Sequence, residues 1–299
     1  MDIEKTVRGE IRRGERMESH TTYGIGGPVD LFVEPLDTDD LAAAVKYLAG
    51  AKIPVFPLGM GSNVLVSDSG FRGAVVCLKG MKKIKSVGEN GVFAEAGVPL
   101  SHLVETAASF RLSGLEFASG IPGSVGGAVV MNAGAYGSEM EGVISEVTFV
   151  DKGGGVKTVG RKDLVFHYRH LETGEGEIVS SALFSLMPDK EGTIRERMKE
   201  NNDKRKRKHP LGVKSAGSVF KNPKGPGSEP AGKIIESMGL KGKRVGDAEV
   251  STLHGNFIVN RGRAKAMDVL ELIEIIKKKA REERGIELKL EVKVLGEDG

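Results

Sequence analysis

The sequence predicts an α+β protein of more than one domain, on three observations. The N-terminal third alternates short apolar runs with one amphipathic helix, residues 80–188 are rich in strand patterns, and the C-terminal third carries a long amphipathic helix followed by an alternating tail. At 299 residues the chain also exceeds what one core usually holds, so two or three domains are expected.

Residues 30–34 form a short apolar run closed by Pro35. Thr38 is placed to cap a helix whose apolar positions Leu41, Val45 and Leu48 recur at helical spacing before Gly50. Strands are expected at 53–57 and 74–78, with a glycine-rich loop between them. A helix near 100–111 ends before Gly114. Val143, Ser145, Val147 and Phe149 then lie on one strand face, Lys152 to Gly155 form a turn, and residues 156–159 return as the partner strand. A charged helix over about 193–206 leads into a third region, where residues 231–238 read as a short helix stopped by Gly239 and 257–260 as a strand. The longest helix spans 266–284 with Ala266, Val269, Leu270, Ile273, Ile276 and Ala280 on its apolar face; Gly285 ends it. Residues 286–295 alternate apolar and charged side chains, the pattern of a half-exposed strand.

Composition excludes several classes. The balance of 44 Lys+Arg against 41 Asp+Glu gives +3, too little to drive binding to nucleic acid or an anionic membrane. The single cysteine, Cys77, has no partner for an internal disulfide and sits in a run that reads as a buried strand, which fits a reducing cytoplasm. No secretory leader and no run of about 20 apolar residues is visible. The six histidines form no ligand cluster, and His167 and His170 lack companions at metal-site spacing, so no metal is expected.

Two loops carry the chemical signal. Gly59, Gly61, Ser62 and Asn63 follow a strand directly, and such a nest of backbone N–H groups suits a pyrophosphate. It is neither a Rossmann fingerprint, since Val64 stands at the third glycine and a strand follows, nor a P-loop. A tight β-turn is the alternative reading. The second loop, Gly120-Ile121-Pro122-Gly123-Ser124-Val125-Gly126-Gly127, offers a wide backbone surface with few side chains. A phosphate satisfies such N–H groups, although small residues also permit close packing. Two such loops favour a dinucleotide without saying which.

With Thr21-Thr22-Tyr23-Gly24-Ile25-Gly26-Gly27 ahead of them, these loops resemble the UDP-N-acetylenolpyruvoylglucosamine reductase (MurB) family. The resemblance extends through Tyr168-Arg169, Ser215 to Pro223, Ala231 to Ile235, His254 to Asn260 and Leu290-Glu291-Val292, nearly the whole chain. It implies an FAD-binding fold of the vanillyl-alcohol-oxidase type, with FAD across subdomains 1–79 and 80–192 and a substrate-binding α+β domain at 193–291, the tail 292–299 packing back on the first. It further implies reduction of UDP-N-acetylglucosamine enolpyruvate with NADPH, in peptidoglycan precursor synthesis; a cytoplasmic monomer is expected. The cofactor set that the resemblance implies is Tyr23, Gly59, Gly61, Ser62, Asn63, Gly120 to Ser124, Gly126, Gly127 and Ile178. The short connection between Leu186 and Arg195 leaves no room for the tyrosine-bearing loop of the longer class, and Leu171 stands where the family often has a serine.

Reducing an enolpyruvyl ether needs hydride at one carbon, a proton at the next, and stabilisation of charge building on the attached carboxylate. Arg169 lies in an apolar setting and reads either as a structural ion pair or as the group that meets this charge. Periodicity alone makes Glu291 a solvated surface carboxylate; the resemblance makes it catalytic, as a protonated acid supporting the enolate. Ser218 reads as a turn residue, and the resemblance makes it the proton donor. The basic run 204–208 reads as a solvated helix face, while the resemblance brings a lysine there to the substrate diphosphate; Lys208 is the choice, with Lys221 and Asn222 as further substrate contacts. No histidine lies in either glycine loop and Cys77 reads as buried, so the FAD is expected to be non-covalent. An oxidase of the same fold, or a colourless nucleotide-sugar or nucleic-acid binding protein using the basic helix, are the competing readings.

Overall fold

A computed structural model describes residues 3–225 and 227–296. Residues 297–299, the end of the expected tail, and residues 1–2 of the first subdomain lie outside the described residues. The chain forms two compact units, Met1–Arg13 with Asp30–Met60 and Gly73–Arg205, and Gly14–Val29 with Gly61–Arg72 and Lys206–Gly299.

The N-terminal part of the chain holds β1 (Glu10–Arg16), β2 (Pro28–Glu34), α1 (Thr38–Gly50), β3 (Val55–Leu58), β4 (Val64–Val66) and β5 (Phe71–Cys77), of which β4 belongs to the second unit. The sheet that opens the first unit is built from the other strands in the order β1-β2-β5-β3, with β3 parallel to β5 and Val55 opposite Ala74. Leu41, Ala44, Val45 and Leu48 of α1 share a core with Leu31, Val33, Ala74 and Val76. The helix is capped one residue earlier than expected: the Asp37 carboxylate accepts from the Asp40 N–H at 2.9 Å, which leaves Thr38 inside the first turn. Cys77 is buried in β5, and burial pushes its thiol pKa up.

A second sheet, antiparallel throughout, is built from β6 (Ile84–Val87), β7 (Gly91–Glu95), β8 (Ile144–Val150), β9 (Val156–Gly160) and β10 (Ile178–Ser185), in the order β9-β8-β10-β7-β6. Helices α2 (Leu100–Ser109) and α3 (Val125–Val130) contribute to its core. The single strand face expected over 143–149 is broken. Bulges between Ile144 and Glu146 and between Thr148 and Phe149 reset the alternation, so Ile144, Val147, Phe149 and Val150 are the buried residues. Val147 and Phe149 join one core and Val150 the other, so β8 is covered on both faces. A short connection from β10 leads into α4 (Glu191–Lys208), which buries only Ile194 and Met198.

The second unit holds α5 (Ala231–Ser237), β11 (Arg244–Val245), β12 (Ala248–Val250), β13 (Ile258–Asn260), α6 (Ala266–Arg284) and β14 (Lys293–Leu295). β11, β12 and β13 form an antiparallel sheet. Helix α6 buries Val269, Leu272, Ile273, Ile276 and Ala280 in one core with Ile234, Ile235, Val250 and Ile258; each large side chain buried contributes about 1.5–3 kcal/mol. Leu272 replaces the expected Leu270, which is half-buried. Asp68 accepts the N–H groups of Ala266 (3.0 Å) and Met267 (3.2 Å) at the start of α6, and Gly285 ends it at φ +61°. The expected strand over 286–295 is regular only in β14. Leu288 and Val292 are buried at the expected period, but the phase then slips: Val294 is exposed and Leu295 buried. The slip coincides with β14 leaving Phe220 and Val219 as neighbours and pairing in parallel with β4, Lys293 opposite Val64.

Candidate active site

In the first unit the two glycine loops meet. A Cβ on Gly59 would collide with the Ser124 Oγ, so the absence of a side chain there lets the loops touch. Loop 120–127 is tied down by Leu100 N–H to Gly123 O and by Val125 and Gly126 N–H to Val98 O and Ala96 O. The glycines are not equivalent. Gly126 is buried with a Cβ position 2.7 Å from the Ala96 Cβ, so there the fold itself demands glycine; Gly127 is exposed and nearly unobstructed. Gly123 has φ +140° and Gly120 φ +79°, conformations that side chains resist. Pro122 is exposed and Ile121 packs beside the core. Ile178 is buried opposite Val150 in the N-terminal core, which leaves only its backbone for a ligand.

Arg169 occupies the turn between the paired segments Phe166–His167 and His170–Leu171, at φ +58°. Its Nη1 donates to Asn132 O (3.3 Å) and Glu139 Oε1 (3.3 Å) and its Nη2 to Gly134 O (3.0 Å). The ion pair considered from sequence therefore exists, with the guanidinium 18% exposed. Leu171 lies in the core, so the orienting bonds come from the 132–139 segment and not from position 171. His167 and His170 stack on one another at 6.2 Å, and no group of three or more ligating side chains is found among the described residues.

The second unit gathers Asn63, Ser218 and Glu291. The carbonyl of Val219, next to Ser218, accepts the Glu291 N–H at 2.8 Å, and Asn63 Nδ2 donates to Glu291 O at 3.1 Å. Lys293 N–H closes the group on Asn63 O, and Gly217, at φ +74°, has its Cβ position 3.9 Å from Ser62 O. Ser218 and Glu291 are both half-buried, so Glu291 is not the solvated carboxylate that periodicity suggests. Gly61 is buried, and a Cβ there would run into the carbonyl of His20; the space beside it belongs to the protein. Asn222 Oδ1 accepts the Ala231 N–H (3.0 Å) at the start of α5, and Lys221 donates its backbone N–H to Lys289 O. Tyr23 is wholly buried; burial pushes its phenol pKa up.

The basic run resolves into unlike members. Lys204, Lys206, Arg207 and Lys208 are exposed, whereas Arg205 turns inward with its Cδ 3.1 Å from the Cβ position of Gly120. Burial pulls the Arg205 guanidinium below its ordinary pKa. Sequence reasoning missed this residue, because composition makes 204–208 uniform; only the helical phase that buries Ile194 and Met198 hints that position 205 faces inward.

Ser124 Oγ, Tyr23 Oη and Arg205 Nε are buried without a hydrogen-bond partner among the described residues. An unsatisfied buried polar atom costs about 1–3 kcal/mol, so each has room for a partner such as an ordered water or a ligand atom. Phosphate and carbonyl oxygens of a flavin dinucleotide have the required acceptor chemistry, and Ser124 and Arg205 both adjoin loop 120–127. The residues fit the group.

Comparison with known proteins agrees. Residues 29–160 match the family model of an FAD binding domain, and residues 209–295 match that of the UDP-N-acetylenolpyruvoylglucosamine reductase C-terminal domain. The chain is 44% identical over 301 residues to the UDP-N-acetylenolpyruvoylglucosamine reductase of Syntrophus aciditrophicus, covering 99% of this chain and 96% of that one. The Syntrophomonas wolfei reductase is 47% identical over 289 residues, with 96% of each covered. The crystal structure of the Thermus caldophilus reductase superposes with a TM-score of 0.81 at 37% identity, covering 97% of this chain and 99% of that one. With both portions matched in order and the full length shared, the chain belongs to the UDP-N-acetylenolpyruvoylglucosamine reductase (MurB) family.

Proposed function

We propose that the protein reduces UDP-N-acetylglucosamine enolpyruvate to UDP-N-acetylmuramate, consuming NADPH and one proton, as a cytoplasmic monomer in peptidoglycan precursor synthesis. The observation that carries this reading is the backbone hydrogen bond from the Glu291 N–H to the Val219 carbonyl, which joins the two half-buried segments that carry Ser218 and Glu291. FAD, bound non-covalently, would supply hydride chemistry to the enol ether.

The chain's own residues do the rest. Tyr23, Gly59, Ser124 and loop 120–127 hold the cofactor, with Arg205 added to that set. Ser218 gives a proton to the carbon bearing the ether oxygen. Its alcohol is a weak acid, so the transfer relies on the basicity that this carbon gains as electrons arrive. Arg169 faces the substrate carboxylate, where negative charge accumulates, with a planar fork that a lysine could not offer. Glu291 hydrogen-bonds the same enolate-like group. Lys208, Lys221 and the amide NH2 of Asn222 serve the substrate, the Asn222 oxygen being engaged at α5. Subdomains 1–79 and 80–192 serve the cofactor and 193–291 the substrate.

The visible spectrum of the purified protein tests this directly. The reading requires a yellow protein whose acid supernatant contains all the flavin. It requires bleaching by NADPH and recolouring by the enolpyruvyl substrate under anaerobic conditions. A colourless protein, or one recoloured only by oxygen, defeats it.

A further inference from the structure

Glu139 has no role in the reading above, yet it touches two residues of the first unit that both have positive φ. Its Oε1 accepts from Arg169 Nη1 at 3.3 Å and its Oε2 from Asn132 Nδ2 at 3.0 Å. Asn132 is wholly buried, donates also to His167 O (3.2 Å) and accepts the Glu141 N–H on its Oδ1 (3.0 Å). Asn132 thus bonds to His167, two residues before Arg169, and its own carbonyl receives the guanidinium. Five non-glycine residues among those described have positive φ, and two of them, Asn132 (+39°) and Arg169 (+58°), are the two that Glu139 joins. Such conformations cost about 1–3 kcal/mol each and persist where the surroundings over-determine them, commonly at functional sites.

The pairing is also looser than a purely structural one. Arg161 and Glu141 in the same unit meet at 2.6 Å, and Arg197 and Asp189 at 2.5 Å. Arg169 and Glu139 make a single contact at 3.3 Å, the long end of the hydrogen-bond range. Two neutral carbonyls add to the fixation, and the guanidinium also lies 4.9 Å over the Tyr168 ring. A long contact of this kind between Glu139 and Arg169 orients the guanidinium, which suits a group that must meet a second carboxylate.

We propose that Glu139 is a positioning residue: bridging Arg169 and the buried Asn132 amide, it fixes the plane of the guanidinium for an incoming carboxylate. The inference rests on the reading that Arg169 faces the substrate carboxylate. Two measurements test it. In protein labelled with ¹⁵N-arginine, the Arg169 side-chain signals, assigned by their loss in Arg169→Lys, should show slow guanidinium rotation. That slow rotation should disappear in Glu139→Ala and persist in Glu139→Gln, which keeps an acceptor oxygen. In stopped flow, Glu139→Ala should slow flavin reoxidation by the enolpyruvyl substrate about 10²-fold, the typical result of a small misplacement. It should leave flavin reduction by NADPH and FAD content unchanged, and Glu139→Gln should recover most of the loss. Unaltered guanidinium rotation in Glu139→Ala, or equal slowing of both half-reactions, overturns the proposal. A wild-type flavin that the enolpyruvyl substrate does not reoxidise defeats the functional reading instead, and the rotation measurement still decides whether Glu139 positions Arg169.

Discussion

Ser218 is where the proposed chemistry is most exposed to test. Ser218→Ala should bleach with NADPH at nearly the normal rate yet reoxidise with substrate about 10²–10⁴-fold more slowly, the usual contribution of a general acid. Stopped-flow traces of the two half-reactions decide it; equal slowing of both removes Ser218 as proton donor. Arg205 tests the cofactor side. Arg205→Met keeps most of the buried stem and removes the unpartnered Nε, so flavin retention through gel filtration should fall while the far-ultraviolet circular dichroism stays the same. A loss of one charge-assisted hydrogen bond, about 1.5–3 kcal/mol, corresponds to roughly 10–10²-fold weaker FAD binding. At this scale the sequence was only partly legible. The motif residues Ser218, Glu291 and Asn63 do come together, but the reasons for individual glycines were hidden. Gly61 and Gly126 are required by His20 and Ala96, neighbours that no local pattern reveals.

The elements were legible where one period ran undisturbed. Helix α6 occupies the expected 266–284 because its apolar face repeats at helical spacing and Gly285 takes the left-handed conformation after it. The strand at 144–150 and the tail were misjudged for one shared reason: a bulge or a change of pairing partner shifts a period-two pattern by one residue. Asp68 could not have been found from the helix sequence, since it reaches the start of α6 from 198 residues away. Its carboxylate satisfies two of the helix's unpaired N–H groups and favours the positive end of the helix dipole. Asp68→Ala should therefore cost about 1 kcal/mol, while Asp68→Asn should recover most of it. Urea denaturation midpoints of the two variants check this; equal losses would mean that the charge matters and the hydrogen bonds do not.

For the whole molecule, paired carboxylates set the response to acid. Glu249 is buried and held below the usual carboxylate range by hydrogen bonds from Arg261 and Arg244. Lys157 holds Glu177 down, and Arg197 does the same for Asp189. A pKa lowered in the folded state means that stability is fully present above the unfolded value, about 4 for these groups, and is lost as pH falls through the folded values. Urea midpoints should thus hold steady down to about pH 5 and decline below it. Glu249→Gln should lower the plateau and flatten the acid limb, because the proton-linked part of its stabilisation is gone. A midpoint that declines as steeply in Glu249→Gln as in wild type contradicts the assignment.

The parallel pairing of β14 with β4 has a consequence in time. Val64–Val66 finds its partner only at Lys293–Leu295, 229 positions later. A ribosome adding about 5–20 residues per second needs on the order of 10–50 s to cover that interval. Throughout it, one edge of a short, wholly apolar strand waits without the neighbour it will eventually have, and the second unit cannot close while the chain is still being made. Closure is then a late event over a long loop, of the kind that folds slowly and invites off-pathway association.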